Sequence, residues 1–295
     1  MRALVCVGGG LGDVVMATPT VQAVVALGYV CDILIKPDIA VASSLFKGWK
    51  DVRKVYTSKK PPPGEIYDAV VRTWWHRDFI LDCGPEYVPG RQNIRKAHES
   101  EACLASARAL GYTGPVPEPY VSVPRSCRFQ LSRPYIAICP GFSSKQGRAF
   151  WARKSWPHWG DFMRAHLDKQ FVILGSAKDA AGKYSKIVGP NVTNMVGKTQ
   201  LEDAIFILNQ AEYVVAIDNG LAHIASAIDK FTFALFGATS EIKNRPLGRR
   251  SIVITADVDC RPCQMTPAWH KCKDFRCMSK ITPDHVWAEI AGEGL

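Results

Sequence analysis

A few short runs of residues hold most of the chemistry this chain can offer. Gly8-Gly9-Gly10-Leu11-Gly12-Asp13 follows an apolar stretch and couples a glycine loop to a single carboxylate. A dinucleotide fingerprint, G-x-G-x-x-G, would need glycine where Asp13 stands. A carboxylate at a helix start caps the helix but repels a pyrophosphate, so nicotinamide or flavin binding is disfavoured. Beside the loop formed by Gly10 and Gly12, Asp13 suits a general base toward an acceptor hydroxyl; the plainer alternative is a helix cap. A second run, Ile217-Asp218-Asn219-Gly220-Leu221-Ala222-His223, reads as a strand end opening into a helix. Asn219 and Gly220 permit close backbone approach, and the N–H groups of a first helical turn can receive a diphosphate. His223 either donates to a phosphate or ribose there or is structural. A third run gathers Ser143, Ser144, Lys145, Arg148, Arg153 and Lys154 before Trp156-Pro157, placing positive charge and hydroxyls after a strand, or else forming a solvated basic loop.

The cysteines form two groups. Six are scattered, several inside apolar runs, and read as reduced thiols. The other four make Cys260-x2-Cys263-x8-Cys272-x4-Cys277, with His270 among them. That is the ligand number of a tetrahedral structural zinc site, although the eight-residue interval is short; reduced thiols and disulfides remain open alternatives. Asp257-Val258-Asp259 has the D-x-D form of a metal site but reads as a turn with two solvated acids.

The elements that must position these groups alternate between apolar strands and helices. Residues 3–7 form a strand, Asp13 to Leu27 a helix and Tyr29 to Ile35 the next strand. After a stretch with prolines at 115, 117, 119 and 124, which holds at most a strand at Tyr120–Val123, the pattern restarts. Strands are expected at 135–139, 171–174, 213–217 and 231–236, with helices near 157–168, 178–187, 200–210 and 220–228. Continuous apolar strands between helices imply parallel sheets covered on both faces, and the restart implies an α/β protein of two Rossmann-like, doubly wound domains. The expected division is 1–130, 131–280 and a C-terminal helix over 281–295.

At 295 residues, 47% of them hydrophobic and 22% charged, the chain has the length and balance of two globular domains rather than a disordered protein. Residues 3–7 are too short for the apolar region of a signal peptide, and no run is long enough for a membrane helix, so a cytoplasmic protein is expected. The formal net charge of +10 is spread over both halves and asks for an anionic partner.

Taken together, the motifs resemble the family 9 glycosyltransferases, the group that contains the lipopolysaccharide heptosyltransferases. The matching pieces are Gly12-Asp13-x4-Thr18-Pro19-x3-Ala23, Lys154-Ser155-Trp156-Pro157, Gly197-Lys198-Thr199-x-Leu201, Asp218-Asn219-Gly220-Leu221-Ala222-His223-x-Ala225, Phe236-Gly237-Ala238-Thr239-Ser240 and Cys277-Met278-x2-Ile281. The family usually has Thr where this chain has Asn219. The resemblance implies two facing domains (the GT-B fold), the acceptor on the N-terminal one and a nucleoside-diphosphate sugar on the C-terminal one, with inversion at the anomeric centre and no catalytic cofactor or metal. Asp13 would be the base. Ser143, Ser144 and Lys154 would meet the donor phosphates, and Asp218, Asn219, Gly220 and His223 would hold diphosphate and ribose.

The heptosyltransferase version implies an anionic glycolipid acceptor and peripheral membrane contact, with Lys47, Lys50, Arg53, Lys54, Lys59 and Lys60 available to it. A second version keeps the donor and takes a nucleic-acid acceptor such as a hydroxylated base, using the net charge and Trp74-Trp75-His76-Arg77. A third is a non-catalytic nucleotide- or nucleic-acid-binding protein of the same fold.

Overall fold

Strands rich in Val, Ile, Leu and Ala without polar alternation can be stable only when both faces are covered, and the structure builds two sheets of that kind. The computed structural model describes residues 1–73, 79, 81–88, 97–142, 151–176 and 184–295. They form two units, Met1–Ser122 and Val123–Leu295.

In the first unit, β1 (Arg2–Val7), β2 (Val30–Ile35), β3 (Val52–Thr57), β4 (Ala69–Arg72) and β5 (Glu86–Tyr87) lie in the order β3-β2-β1-β4-β5, all parallel. The chain builds outward from β1 on one side and returns to the other with β4. The strand order therefore reverses between β1 and β4, and open α/β sheets bind ligands outside the carboxyl ends of such a pair. Helix α1 (Leu11–Ala26) runs unbroken through Pro19. Proline has no N–H to give to the carbonyl of Val15, and the Thr18 hydroxyl donates to it instead at 2.7 Å. The same hydroxyl accepts from the Tyr120 N–H at 3.1 Å, which explains why Thr18 and Pro19 occur as a pair. Helix α2 (Glu99–Ala109) packs along α1.

In the second unit, β6 (Ile136–Cys139), β7 (Phe171–Ile173), β8 (Val192–Asn194), β9 (Val214–Ile217), β10 (Thr232–Phe236) and β11 (Ser251–Thr255) form a parallel sheet in the order β11-β10-β9-β6-β7-β8. Its order reverses between β6 and β9. Around it lie α3 (Trp159–Arg164), α4 (Leu201–Gln210), α5 (Gly220–Ala227), α6 (Glu241–Asn244), α7 (Pro267–Lys271), α8 (Arg276–Ser279) and α9 (Pro283–Gly292). Buried Trp156, Trp159, Phe162, Phe171, Tyr213, Phe233 and Trp269 fill its core.

Several sequence expectations change. Residues 120–123 are irregular, with Tyr120 spending its N–H on Thr18. The helix expected near 157–168 is confined to 159–164, and that expected near 178–187 falls mostly outside the described residues. Strands β3, β4, β5, β8 and β11 and helix α2 were not anticipated. The division falls at 122/123, against 130/131 from the prolines. Residues before 130 belong with the second unit because the Arg128 guanidinium pairs with Asp203 of α4 at 2.5 Å. The C-terminal helix is part of that unit too, since Trp287 stacks on Phe162 with ring centroids 4.5 Å apart. Among the described residues, no helix is long and apolar enough to cross a membrane.

Candidate functional site

The best-formed polar cluster of the second unit lies at the carboxyl ends of β6 and β9, where its strand order reverses. Asp218 follows β9, and its side chain is 7% exposed. The Lys154 ammonium lies 2.8 Å from its carboxylate and donates to its backbone carbonyl at 3.1 Å. Lys154 comes from a short 3₁₀ turn, Ala152–Lys154, and sits 4.5 Å from the centre of the Trp151 ring. His223, one turn into α5, brings Nε2 to 3.9 Å from the other carboxylate oxygen of Asp218. A 3₁₀ turn, a strand end and a helix start thus bring together a cation, an anion and an imidazole in a largely water-excluded place.

Asn219 organises this corner. It is the N-cap of α5, and its Oδ1 accepts from the N–H groups of Leu221 and Ala222 at 3.0 Å each. Its Nδ2 donates to the carbonyls of Cys139 and Gly141 at 2.8 Å each. One side chain therefore clamps the end of β6 to the start of α5. The Asn219 side-chain amide is thus committed to backbone, and two of the helix-start N–H groups have it as their acceptor. Ser143 and Ser144 lie outside the described residues.

In the first unit, Asp13 occupies the third position of α1, and its Oδ2 accepts from the Gly10 N–H at 2.5 Å. The carboxylate thus folds back over the loop that precedes the helix. Gly9 makes this possible: its φ is +82°, and a Cβ there would come 2.4 Å from Asp13 Oδ2. Gly10 tolerates more, since a Cβ there would meet the same oxygen at 3.4 Å. Gly12 lies in the first turn of α1. The helix-cap reading of Asp13 is thus visible in the structure, and the same contact orients the carboxylate near the carboxyl end of β1, the central strand.

Two features escaped the sequence reading. Arg72, at the carboxyl end of β4, has a side chain 7% exposed and pairs with Glu86 at 2.7 Å; one arginine among many carries no local signal of burial. Arg53, counted with the available basic residues, is instead bonded to buried Asp32 at 2.5 Å. The Trp74–Arg77 run lies outside the described residues.

Cys260, Cys263, Cys272 and Cys277 all line one cavity of about 380 Å³ together with Arg153, Lys271, Asp274 and Arg276. All four are free thiols, and Cys277 is pushed up to about 11, mainly by burial and further by the other three. Among the described residues, no three His, Cys, Asp or Glu side chains are placed, as they stand, to hold a metal ion. Asp257 and Asp259 are exposed, and Asp259 pairs with Arg276 at 2.9 Å, which supports a surface turn over a D-x-D metal site.

The glycosyltransferase family 9 (heptosyltransferase) model matches residues 96–273. Lipopolysaccharide heptosyltransferase 2 of Salmonella typhimurium is 34% identical over 184 residues, covering 55% of this chain and 48% of that protein. The chain spans about half the length of the curated relatives it matches. The solved structure of Escherichia coli ADP-heptose lps heptosyltransferase II superposes with a TM-score of 0.74 at 20% identity, covering 99% of this chain and 98% of that one. Iron-containing dodecameric glycosyltransferase TibC of enterotoxigenic E. coli gives 0.71 at 15% identity, over 99% of this chain and 77% of that one. Both likenesses show the shared two-sheet α/β fold.

Proposed function

Because the chain belongs to glycosyltransferase family 9, we propose that it moves a sugar, of the heptose class, from a nucleoside diphosphate to a hydroxyl of an anionic glycolipid. The reading is supported above all by the Lys154–Asp218–His223 cluster beside the start of α5, which lies within the stretch that matches the family. ADP-activated heptose is the donor we favour, since one of the similar solved structures is an ADP-heptose lps heptosyltransferase. The nucleic-acid acceptor gains nothing from these matches, and the glycolipid acceptor is retained.

In this mechanism Asp13 takes the acceptor proton as the hydroxyl oxygen attacks the anomeric carbon, and the configuration inverts because attack comes opposite the departing diphosphate. The hydrogen bond from Gly10 fixes one carboxylate oxygen and so sets the direction of the base. Negative charge grows on the leaving diphosphate. Lys154 meets it, and because Asp218 already holds the ammonium in position, little reorganisation is needed at that moment. Asn219 acts as the clamp that keeps the end of β6 and the start of α5 in register. The chemistry requires no metal in this reading, and an ion held by the four clustered cysteines would be structural.

The test is a panel of nucleoside-diphosphate sugars measured by thermal stabilisation and then by transfer. A ligand at about 100 times its Kd adds about 2.7 kcal/mol of apparent stability. ADP-heptose should stabilise the chain, and Lys154→Met should remove that effect. If no nucleotide-sugar stabilises the protein or is consumed by it, the proposal is wrong.

A further inference from the structure

We propose that Trp151 is a positioning residue for the donor diphosphate: its indole face holds the Lys154 ammonium in the place from which that cation meets the leaving group. This rests on the donor role given to Lys154 above and adds a residue to it. The ammonium lies 4.5 Å from the centre of the Trp151 ring, within the range of a cation–π contact, and 2.8 Å from the Asp218 carboxylate. Trp151 stands just before Lys154-Ser155-Trp156-Pro157 and belongs to none of the motifs that match the family.

A phosphate-binding lysine gains from such a wall. Its four-carbon stem is flexible and its ammonium strongly hydrated, so a lysine left to itself spreads over many rotamers and meets an anion at an entropic cost. The Lys154 side chain is only 16% exposed. Asp218 engages the ammonium through its carboxylate and, at 3.1 Å, through its backbone carbonyl, while the indole face borders another part of it. A second carboxylate in place of the ring would hold the ammonium too, but it would repel an incoming diphosphate. The ring attracts the cation through its quadrupole and carries no net charge, so it holds Lys154 without opposing the ligand.

A wall of this kind must itself be fixed, and the second unit fixes it. The half-buried Trp151 ring meets that of Trp269 edge-on, with centroids 5.6 Å apart and planes at 75°. Trp269 is fully buried in α7. The Thr266 hydroxyl that caps α7 accepts from the Trp269 backbone N–H at 3.4 Å and donates to the Cys263 carbonyl at 2.7 Å, so the helix start cannot drift. On the other side, Trp151 is the N-cap of the 3₁₀ turn Ala152–Lys154, which Ser155 closes by donating its N–H to the Ala152 carbonyl at 2.9 Å. Ring and ammonium are thus carried by one short turn and braced by α7, which gives that distant helix a part in placing the donor-side cation.

The test has two readouts on the full chain. Lysines are reductively methylated with ¹³C-formaldehyde, which keeps their charge, and the Lys154 methyl resonance is assigned by its loss in Lys154→Arg. Ring current from the indole face should place that resonance upfield of the other lysines, and Trp151→Leu should return it to the ordinary position. Unmethylated chains are then titrated with ADP by calorimetry, since ADP carries the charge that the departing diphosphate acquires. Trp151→Leu should weaken ADP binding about tenfold, the worth of a cation–π contact at a largely desolvated lysine. Trp151→Phe, which keeps a ring face, should weaken it only about threefold, and it reads the effect if Trp151→Leu fails to fold. Unchanged ADP affinity in Trp151→Leu overturns the proposal. So does a loss of affinity without a change in the Lys154 resonance, which would mean that the ring touches the nucleotide directly. If the wild type binds no nucleoside diphosphate, the glycosyltransferase reading fails and the proposal falls with it, whereas a wild type that binds beside an indifferent Trp151→Leu overturns the proposal alone.

Discussion

Removing the Asn219 amide should cost the second unit more than any other single truncation at the candidate site. In Asn219→Ala, the N–H groups of Leu221 and Ala222 lose their cap acceptor, and the carbonyls of Cys139 and Gly141 lose their donor. Loss of an N-cap costs about 1 kcal/mol. Each carbonyl left without its partner in a partly buried place adds about 1 kcal/mol. The sum, about 3 kcal/mol, raises the unfolding constant roughly 100-fold. With a urea m-value of about 2 kcal/mol per molar, the midpoint should fall by about 1.5 M. Tryptophan fluorescence follows this transition, because Trp151, Trp156, Trp159, Trp269 and Trp287 all belong to the second unit. Asn219→Thr keeps an oxygen for the cap but cannot serve both carbonyls, so it should lose about half as much. A loss below about 0.5 kcal/mol in Asn219→Ala would refute the clamp, since surface changes without a structural role fall in that range. Equal losses for Thr and Ala would refute the cap half of the argument.

Asp13→Ala should lower transfer by about 100-fold or more while leaving donor-nucleotide affinity unchanged; full activity in that variant would remove Asp13 from the role of base. Gly9→Ala should destabilise the first unit by about 1–2 kcal/mol, because it forces a side chain into left-handed backbone and onto the Asp13 carboxylate, whereas Gly10→Ala should be nearly neutral; equal thermal shifts for the two would refute the loop geometry. Asp203 is lowered from 3.8 to about 2, chiefly by the hydrogen bond from Arg128. The folded state therefore releases this proton more readily than the unfolded state, and the resulting stability is present above about pH 4 and lost as pH falls toward 2. Denaturation midpoints across that window should fall less steeply in Asp203→Asn than in the wild type, and identical slopes would count against the pair.

Long apolar strands were legible in the sequence because periodicity and β-branched composition mark them directly, as in residues 3–7 and 213–217. The short or half-polar strands were not: β3, Val52–Thr57, sets Arg53 and Lys54 side by side and so breaks the alternation of a half-buried strand, and β5 has only two residues, so neither shows a distinctive pattern. The division falls at 122/123: prolines mark where regular structure is hard to build, whereas contacts such as that of Arg128 with Asp203 tie residues before 130 to the second unit.

At the candidate site, residue types and order pointed to a base, a phosphate-binding cation and a helix start, because those depend on local composition. Only the folded chain showed that Asn219 spends both ends of its amide on backbone, that Asp218 holds Lys154, and that Arg53 is consumed by Asp32. These partners lie 21 to 80 positions apart along the chain. Sequence alone therefore determined which groups this protein has and in what order. Tertiary structure decided which are paired, because whether a charged or polar group keeps its capacity for a ligand depends on neighbours that only the fold brings within hydrogen-bonding distance.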